Sequence, residues 1–340
     1  MKFGAFGLSG TFQEIVDECQ FAERVGFDGV FFGQHHQAVR IPGRQVFQDR
    51  IVGNLLLCAA VAARTERVDI GTAIHILPLS HPIQVAEDTA AIDIISGGRL
   101  ILGVGIGYQP RDFEAFGIPM AQRVSRFEES LEILRRAWTE DNFSFVGKRF
   151  TLRNVSITPK PMQKPHPPLW VGPWSMEGAK RAARQGTGFV SDPIHNTPAL
   201  QQMVTLYKEL ATARGVKPYT AVMREILIAD SREEAMELYG EAVLGTYRNY
   251  WSVKAINPDL EPWVKDMKSQ QDVTWDVLTR HDRVLVGSPK EIIGQIERLN
   301  DDLGGFEYLL PVFPHPAQRG HERAMAAMKL FGEKVAPHFR

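Results

Sequence analysis

Apolar residues in this chain fall into a repeating order: a short continuous run, then a stretch in which they recur every three or four positions. Lys2–Gly7 (KFGAFG) is the first run, and Thr11 then caps a helix predicted to reach Val25, with Ile15, Cys19, Ala22 and Val25 as its buried stripe and Gly26 as its stop. Further strands are predicted at Asp28–Gly33, Asp69–His75, Arg99–Val104, Leu169–Gly172, Gly188–Ser191, Ala221–Ala229 and Phe306–Phe313. Helices are predicted from about Ile51 to Arg64, from Pro82 to Ile95, and across Val124–Trp138. Others follow Ser175 as far as Ala183, then span Pro198–Ala213 and Arg232–Tyr247. Ser288-Pro289-Lys290-Glu291 reads as a capping box opening another, and His315 to about Val335 as the last. Runs such as Arg99–Val104, apolar almost throughout, are what strands covered on both faces require. Strands alternating with helices eight times predict an α/β chain folded as a (β/α)8 TIM barrel, a single domain over residues 1–340 with loop insertions at the active face.

Three stretches break the rhythm. Gln34–Arg50 has no period and carries Arg40, Arg44 and Arg50, so it reads as a long loop over the active face. Asn142–Pro168 reads as an inserted hairpin and linker. Residues 248–286 carry Trp251, Trp263 and Trp275 with no strand signal before Arg283–Val286; they read as a partly helical excursion that could form a lid.

Composition narrows the partners. Hydrophobic content of 44% and charged content of 23% are ordinary for a globular chain. A net charge of −1 with no basic block argues against nucleic acid. No run of about 18 apolar residues exists to span a membrane, and the N-terminus lacks the pattern of a signal peptide. Cys19 and Cys58 fall on apolar helix faces and read as buried reduced thiols, which sets the expectation of a cytoplasmic protein.

In a parallel barrel the chemistry sits at the carboxyl ends of the strands. Strand by strand that face offers Phe6–Gly7, Gln34-His35-His36, Ala73–His75, Gly105–Tyr108, Gly172–Ser175, Ser191–Asp192 and Phe313–His315. It is apolar and aromatic with few charges, the wall that a flat uncharged ring needs. A metal at His35 and His36 would need converging ligands; His75 is the one obvious third, and no carboxylate cluster accompanies them, so no metal site is expected. A histidine satisfied by loop carbonyls and a histidine beside a cofactor both remain open on the residues alone. Ser175 and Met176 begin a helix after Gly172-Pro173-Trp174, which suits a helix cap and equally a phosphate site. Gly103-Val104-Gly105-Ile106-Gly107 is not a dinucleotide fingerprint, because the third glycine stands in the wrong place.

The ordered set Gly71-Thr72-Ala73, Leu77-Pro78-Leu79-Ser80-His81-Pro82, Ala86-Glu87-Asp88, Ser96-Gly97-Gly98-Arg99, Gly103 to Gly107 and Phe116-Gly117 closely resembles the flavin-dependent bacterial luciferase-like monooxygenases. The resemblance implies a two-component monooxygenase that uses reduced FMN, delivered by a separate flavin reductase, and dioxygen to oxygenate a small organic substrate. It also implies a homodimer. His35, the first histidine of the pair, is implied to be catalytic, with Gln34 standing where luciferase has an acidic residue. Phe6, Ala73, Ile74, Gly105, Tyr108, Gly172, Ser175 and Met176 are implied to hold the cofactor, with the ring near Ala73 and Ile74 and the phosphate near Ser175. A bulge with a non-prolyl cis peptide is implied in Thr72-Ala73-Ile74. Luciferase has an arginine where this sequence has Ile106, which leaves Arg111 as a candidate cation. Two alternatives stand beside this reading: a deazaflavin-dependent hydride-transfer enzyme of the same superfamily, and a non-catalytic flavin-binding or partner subunit.

Overall fold

The computed structural model describes residues 1–8, 10–34, 36, 53–316 and 319–340. His35 and most of the expected Gln34–Arg50 loop lie outside the described residues. In chain order the elements are β1 (Lys2–Phe6), α1 (Phe12–Arg24), β2 (Gly29–Phe32), α2 (Asn54–Ala62), β3 (Asp69–Ile76), α3 (Pro82–Ile95) and β4 (Leu100–Gly105). Next come α4 (Pro110–Ala115), α5 (Arg123–Thr139), β5 (Phe143–Val146), β6 (Thr151–Val155), β7 (Leu169–Val171), α6 (Met176–Arg184), β8 (Gly188–Val190) and α7 (Thr197–Ala213). The chain ends through β9 (Thr220–Ile228), α8 (Arg232–Ser252), α9 (Trp275–Thr279), β10 (Val284–Gly287), α10 (Pro289–Asp302), β11 (Tyr308–Val312) and α11 (Gly320–Lys334). The parallel strands run in the order β10-β9-β11-β1-β2-β3-β4-β7-β8, and β8 also pairs with β9, which closes eight of them into an α/β barrel. The ninth is β10, a strand the eight-strand reading treated as the end of the excursion.

The chain divides into two compact units. One comprises residues 1–31 and 173–340. In it β9 is the longest strand, nine residues buried throughout. Its first half pairs with β8 (Phe189 with Thr220) and β11 (Tyr308 with Ala221), and its second half with β10 (Val284 with Glu225). Gln295 of α10 closes the outer edge of β10, its amide accepting from the Val286 N–H and donating to the Val286 carbonyl. The caps expected from sequence form: Thr11 with Glu14 on α1, and Ser288 with Glu291 on α10. Two boundaries differ from the sequence reading. Helix α8 runs on to Ser252 because no glycine or proline interrupts Arg248–Ser252, and α11 starts at Gly320 rather than near His315.

The second unit comprises residues 32–37 and 52–172. Strands β5 and β6 form the expected hairpin, paired antiparallel. Helix α5 packs with Trp138 buried and its indole donating to the Ala86 carbonyl at 3.1 Å. The Ser-Gly-Gly-Arg motif is a scaffold device. The Arg99 guanidinium donates to the carbonyls of Ala62, Thr65, Val68 and Ser96, tying the end of α2 to the entrances of β3 and β4. Helix α4 was not anticipated, since six residues opened by Pro110 carry too little periodicity to read.

Candidate active site

In the second unit the site is built on an irregularity of β3. The strand pairs with β4 in register from Ile70 to Thr72, then slips, so that His75 stands opposite Val104. Within that slip the Ala73–Ile74 peptide bond is cis. The facing strand leaves room for it. A side-chain carbon on Gly103 would lie 2.1 Å from the Thr72 carbonyl oxygen, and one on Gly105 would lie 2.6 Å from Ile74 Cδ1. Gly172 meets the same residue, its added carbon falling 2.8 Å from Ile74 Cγ2. The glycines of the strand exit therefore serve close approach. Ala73, Ile74, Gly105 and Gly172 come together as one uncharged surface.

Buried polar groups fasten this strand from behind. Gln34 accepts from the Ile76 N–H at 2.7 Å, so the residue that replaces an acid in the resemblance holds backbone here. His75 places Nδ1 3.0 Å from Asn54 Oδ1 and Nε2 3.0 Å from Ser80 Oγ. Burial, reinforced by the nearby His36, drives the His75 imidazole down to about 4, so it is neutral at physiological pH. With both ring nitrogens engaged, His75 has no lone pair free for a metal. Among the described residues no group of three His, Cys, Asp or Glu side chains could hold a metal ion.

The His36 ring lies 4.6 Å from that of Phe116 and tilted against it, and its Nε2 is buried with no hydrogen-bond partner among the described residues. Burial lowers its imidazole, with the Asp112 carboxylate acting the other way. Burial also raises the Asp112 carboxyl against the pull of His36 and Arg111. Arg111, the candidate cation, sits on α4 with Nε 4.0 Å from Asp112 Oδ1. Tyr108, beyond β4, accepts at its hydroxyl from the Gln109 side chain at 3.2 Å.

The other unit holds the remaining expected residues. Phe6 ends β1, opposite Phe31 and Val312. Ser175 caps α6, its hydroxyl accepting from the Gly178 N–H at 3.2 Å, and Met176 is the first helical residue. The first amides of any helix lack an intrahelical acceptor, which makes such a cap a natural anion seat. Trp174 beside it is anchored to the 248–286 excursion. Its indole donates to the Ala255 carbonyl at 3.0 Å, and its own carbonyl accepts from Asn257 at 3.2 Å. Trp263 and Trp275 pack inside this unit, Trp263 under the Arg283 guanidinium at 4.8 Å and Trp275 against Gly240 of α8.

Sequence reasoning passed over a buried ionic cluster in the same unit. Past β8, Asp192 Oδ1 accepts from the amides of Ile194 and His195 at 2.7 and 3.0 Å, and Oδ2 lies 2.8 Å from His195 Nδ1. Burial raises this carboxyl, but the His195 ring and the bonds from His195 and Ile194 outweigh it and leave it below its ordinary value. Arg224 and Glu225 sit inside β9, and Arg283 forms an ion pair with Glu261 in which both are buried. Glu261 also accepts from the Asn196 N–H and the Trp263 indole. Among the described residues several polar atoms here find no hydrogen-bond partner: His195 Nε2, Arg224 Nη2, and Arg283 Nε and Nη1. Each such atom costs about 1–3 kcal/mol unless something else satisfies it. The signal was available, since two adjacent charges inside an otherwise apolar strand (AVMREILI) mark a buried network.

Comparison with known proteins agrees with this architecture. A family model described as "Luciferase-like monooxygenase" matches residues 1–305. Two uncharacterized proteins of Sinorhizobium fredii are 29% and 34% identical over 59% and 67% of this chain, which spans 54% and 65% of their own length. The FMNH(2)-dependent dimethylsulfone monooxygenase of Pseudomonas putida is 29% identical over 83% of this chain and 77% of its own. Among solved structures, monooxygenase RslO1 from Streptomyces bottropensis superposes with a TM-score of 0.84 at 27% identity, each chain covered in full.

Proposed function

The chain belongs to the luciferase-like monooxygenase family, and from that premise we propose that it is a two-component monooxygenase using reduced FMN and dioxygen on a small organic substrate. The observation that carries the reading is the bulge in β3 between Thr72 and His75, faced by Gly103, Gly105 and Gly172, a cleared uncharged surface on the carboxyl side of β3 and β4. It agrees with the FMNH(2)-dependent relative from Pseudomonas putida. The residues of each unit, taken separately, suit a part of FMN: Ala73, Ile74, Gly105 and Gly172 would suit a flat ring, and in the other unit the Ser175 cap with the first amides of α6 would suit a phosphate. Reduced flavin supplies the electrons that activate dioxygen. The protein's part is to bind and orient both reactants and to keep water away from the reacting atoms.

Several finer features go with this reading. His35 handles a proton beside the ring, and Phe6, Tyr108 and Met176 line the cofactor. The 248–286 excursion acts as a cover on one luciferase-like domain spanning residues 1–340. A separate reductase supplies the reduced flavin, and the chain works as a cytoplasmic homodimer. No helix among the described residues is long and apolar enough to cross a membrane.

The test supplies FMN, NADH and a flavin reductase under labelled dioxygen with a panel of phenols, ketones and sulfones. One labelled oxygen atom in one product is expected, and its formation should fall more than about tenfold in His35→Ala, the usual scale of a positioned acid–base group. Hydride transfer from a reduced deazaflavin without oxygen uptake would replace the reading with its sister chemistry.

A further inference from the structure

The 248–286 excursion meets the loop before α6 through two hydrogen bonds to Trp174. The indole donates to the Ala255 carbonyl at 3.0 Å, and the Trp174 carbonyl accepts from Asn257 Nδ2 at 3.2 Å. Asn257 is held in its turn. Its Oδ1 accepts from the Asp259 N–H at 3.0 Å, and its carbonyl accepts from the N–H groups of Leu260 and Glu261 at 3.2 and 2.9 Å. Glu261 is fixed by its ion pair with Arg283 and by the N–H of Asn196, the cap of α7. Ala255, Ile256, Asn257 and Glu261 are all buried. Residues 255–261 therefore form a fixed buttress behind the loop. On its other side the loop is wedged against the first turn of α6, where a side-chain carbon on Gly178 would fall 2.9 Å from Pro173 Cβ.

A trans peptide carries its carbonyl and its N–H in one plane, pointing opposite ways. The Trp174–Ser175 bond is trans, so the hydrogen bond from Asn257 to the Trp174 carbonyl fixes the direction of the Ser175 N–H. Ser175 itself is only half-buried, within reach of a ligand from solvent. Its hydroxyl oxygen accepts from the Gly178 N–H, which leaves the hydroxyl hydrogen to be donated. We propose that Asn257 is a positioning residue for the phosphate end of FMN: acting through Trp174, it sets the Ser175 N–H and hydroxyl before the phosphate arrives. A seat aligned in advance spares the bound state part of its ordering cost. Asn257 has this role only if FMN is the cofactor and its phosphate sits at α6, as proposed above.

Asn257→Ser isolates the link. A serine hydroxyl can still accept from the Asp259 N–H, since serine makes the same kind of turn, but it is too short to reach the Trp174 carbonyl and it adds no charge. Reduced FMN and reduced riboflavin, which differ only by the phosphate, are titrated anaerobically into the whole protein. Wild type should prefer FMN. The variant should lose about tenfold in affinity for FMN, the scale of one hydrogen bond to a charged group, and nothing for riboflavin. An undiminished preference for FMN in the variant, or an equal loss for both flavins, would overturn the role of Asn257 and leave the seat standing. Wild type that holds both flavins alike would move the phosphate elsewhere and take the role with it; no saturable binding of either would remove the flavin reading as well. If the variant folds poorly, amide exchange in wild type decides, because coupling between seat and buttress is reciprocal. FMN, and not riboflavin, should raise protection at the amides of Asp259, Leu260 and Glu261. Equal protection with both flavins, or none with either, would overturn the proposal.

Discussion

Replacing His75 by Gln should flatten the acid side of this protein's stability curve. His75 is buried between Asn54 and Ser80, and its imidazole lies at about 4 against an ordinary 6.5. Because the folded value is the lower one, the unfolded chain takes up the proton first as the pH falls. Stability from keeping this ring neutral is therefore whole above pH 6.5 and drains away between 6.5 and 4. Two and a half units correspond to about 3 kcal/mol in full, of which about 2 kcal/mol is gone by pH 5. Urea unfolding at pH 7.5 and pH 5.0, on wild type and His75→Gln, isolates this group because every other titration is shared. Wild type should lose about 2 kcal/mol more than the variant over that interval. Equal losses in the two proteins would mean that the ring is not held neutral and that the packing behind β3 is looser than described.

Three further outcomes follow from the same geometry. Gly103→Ala should destabilise more than Gly105→Ala. The first drives a carbon against the Thr72 carbonyl oxygen, the second against the movable end of Ile74; about 3 kcal/mol against about 1 is the expected scale, read as thermal midpoints, with Ile74→Ala rescuing only Gly105→Ala. Glu261→Ala should cost about 3–5 kcal/mol in urea unfolding because Arg283 is left as an unpaired buried charge. Adding Arg283→Met should restore most of that loss, and no restoration would show that the pair is not the seat of the effect. Ser175→Ala should lower stability by about 1 kcal/mol as a lost cap and weaken reduced-FMN binding about tenfold in an anaerobic titration; unchanged affinity would move the phosphate elsewhere.

The barrel was legible because most of its elements follow local rules. Apolar runs bounded by glycine gave β1, β4 and β7, and capping boxes at Thr11 and Ser288 marked helix starts that the structure reproduces. Strand β10 was harder. Four residues closing a polar excursion carry little period, and the strand exists because β9 extends beyond β8 and β11 and because Gln295 satisfies its outer edge. The bulge in β3 was anticipated only through resemblance, since nothing in Thr72-Ala73-Ile74 itself favours a cis bond. Its glycine partners Gly103, Gly105 and Gly172 were visible as letters, but their purpose depends on which strand they face. The ionic cluster escaped notice for a related reason. Asp192, His195, Arg224, Glu261 and Arg283 are scattered over some ninety positions, and folding brings them together through contacts that no local spacing records.

The central claim, that this chain receives reduced FMN and uses it with dioxygen, is tested most directly by anaerobic competition between reduced FMN and reduced deazaflavin, followed by admission of labelled dioxygen with substrate. Saturable binding of reduced FMN in preference to the deazaflavin, weakened by Ser175→Ala and followed by label in the product, is the expected result. Preferential binding of the deazaflavin, with hydride transfer and no oxygen consumed, would contradict it.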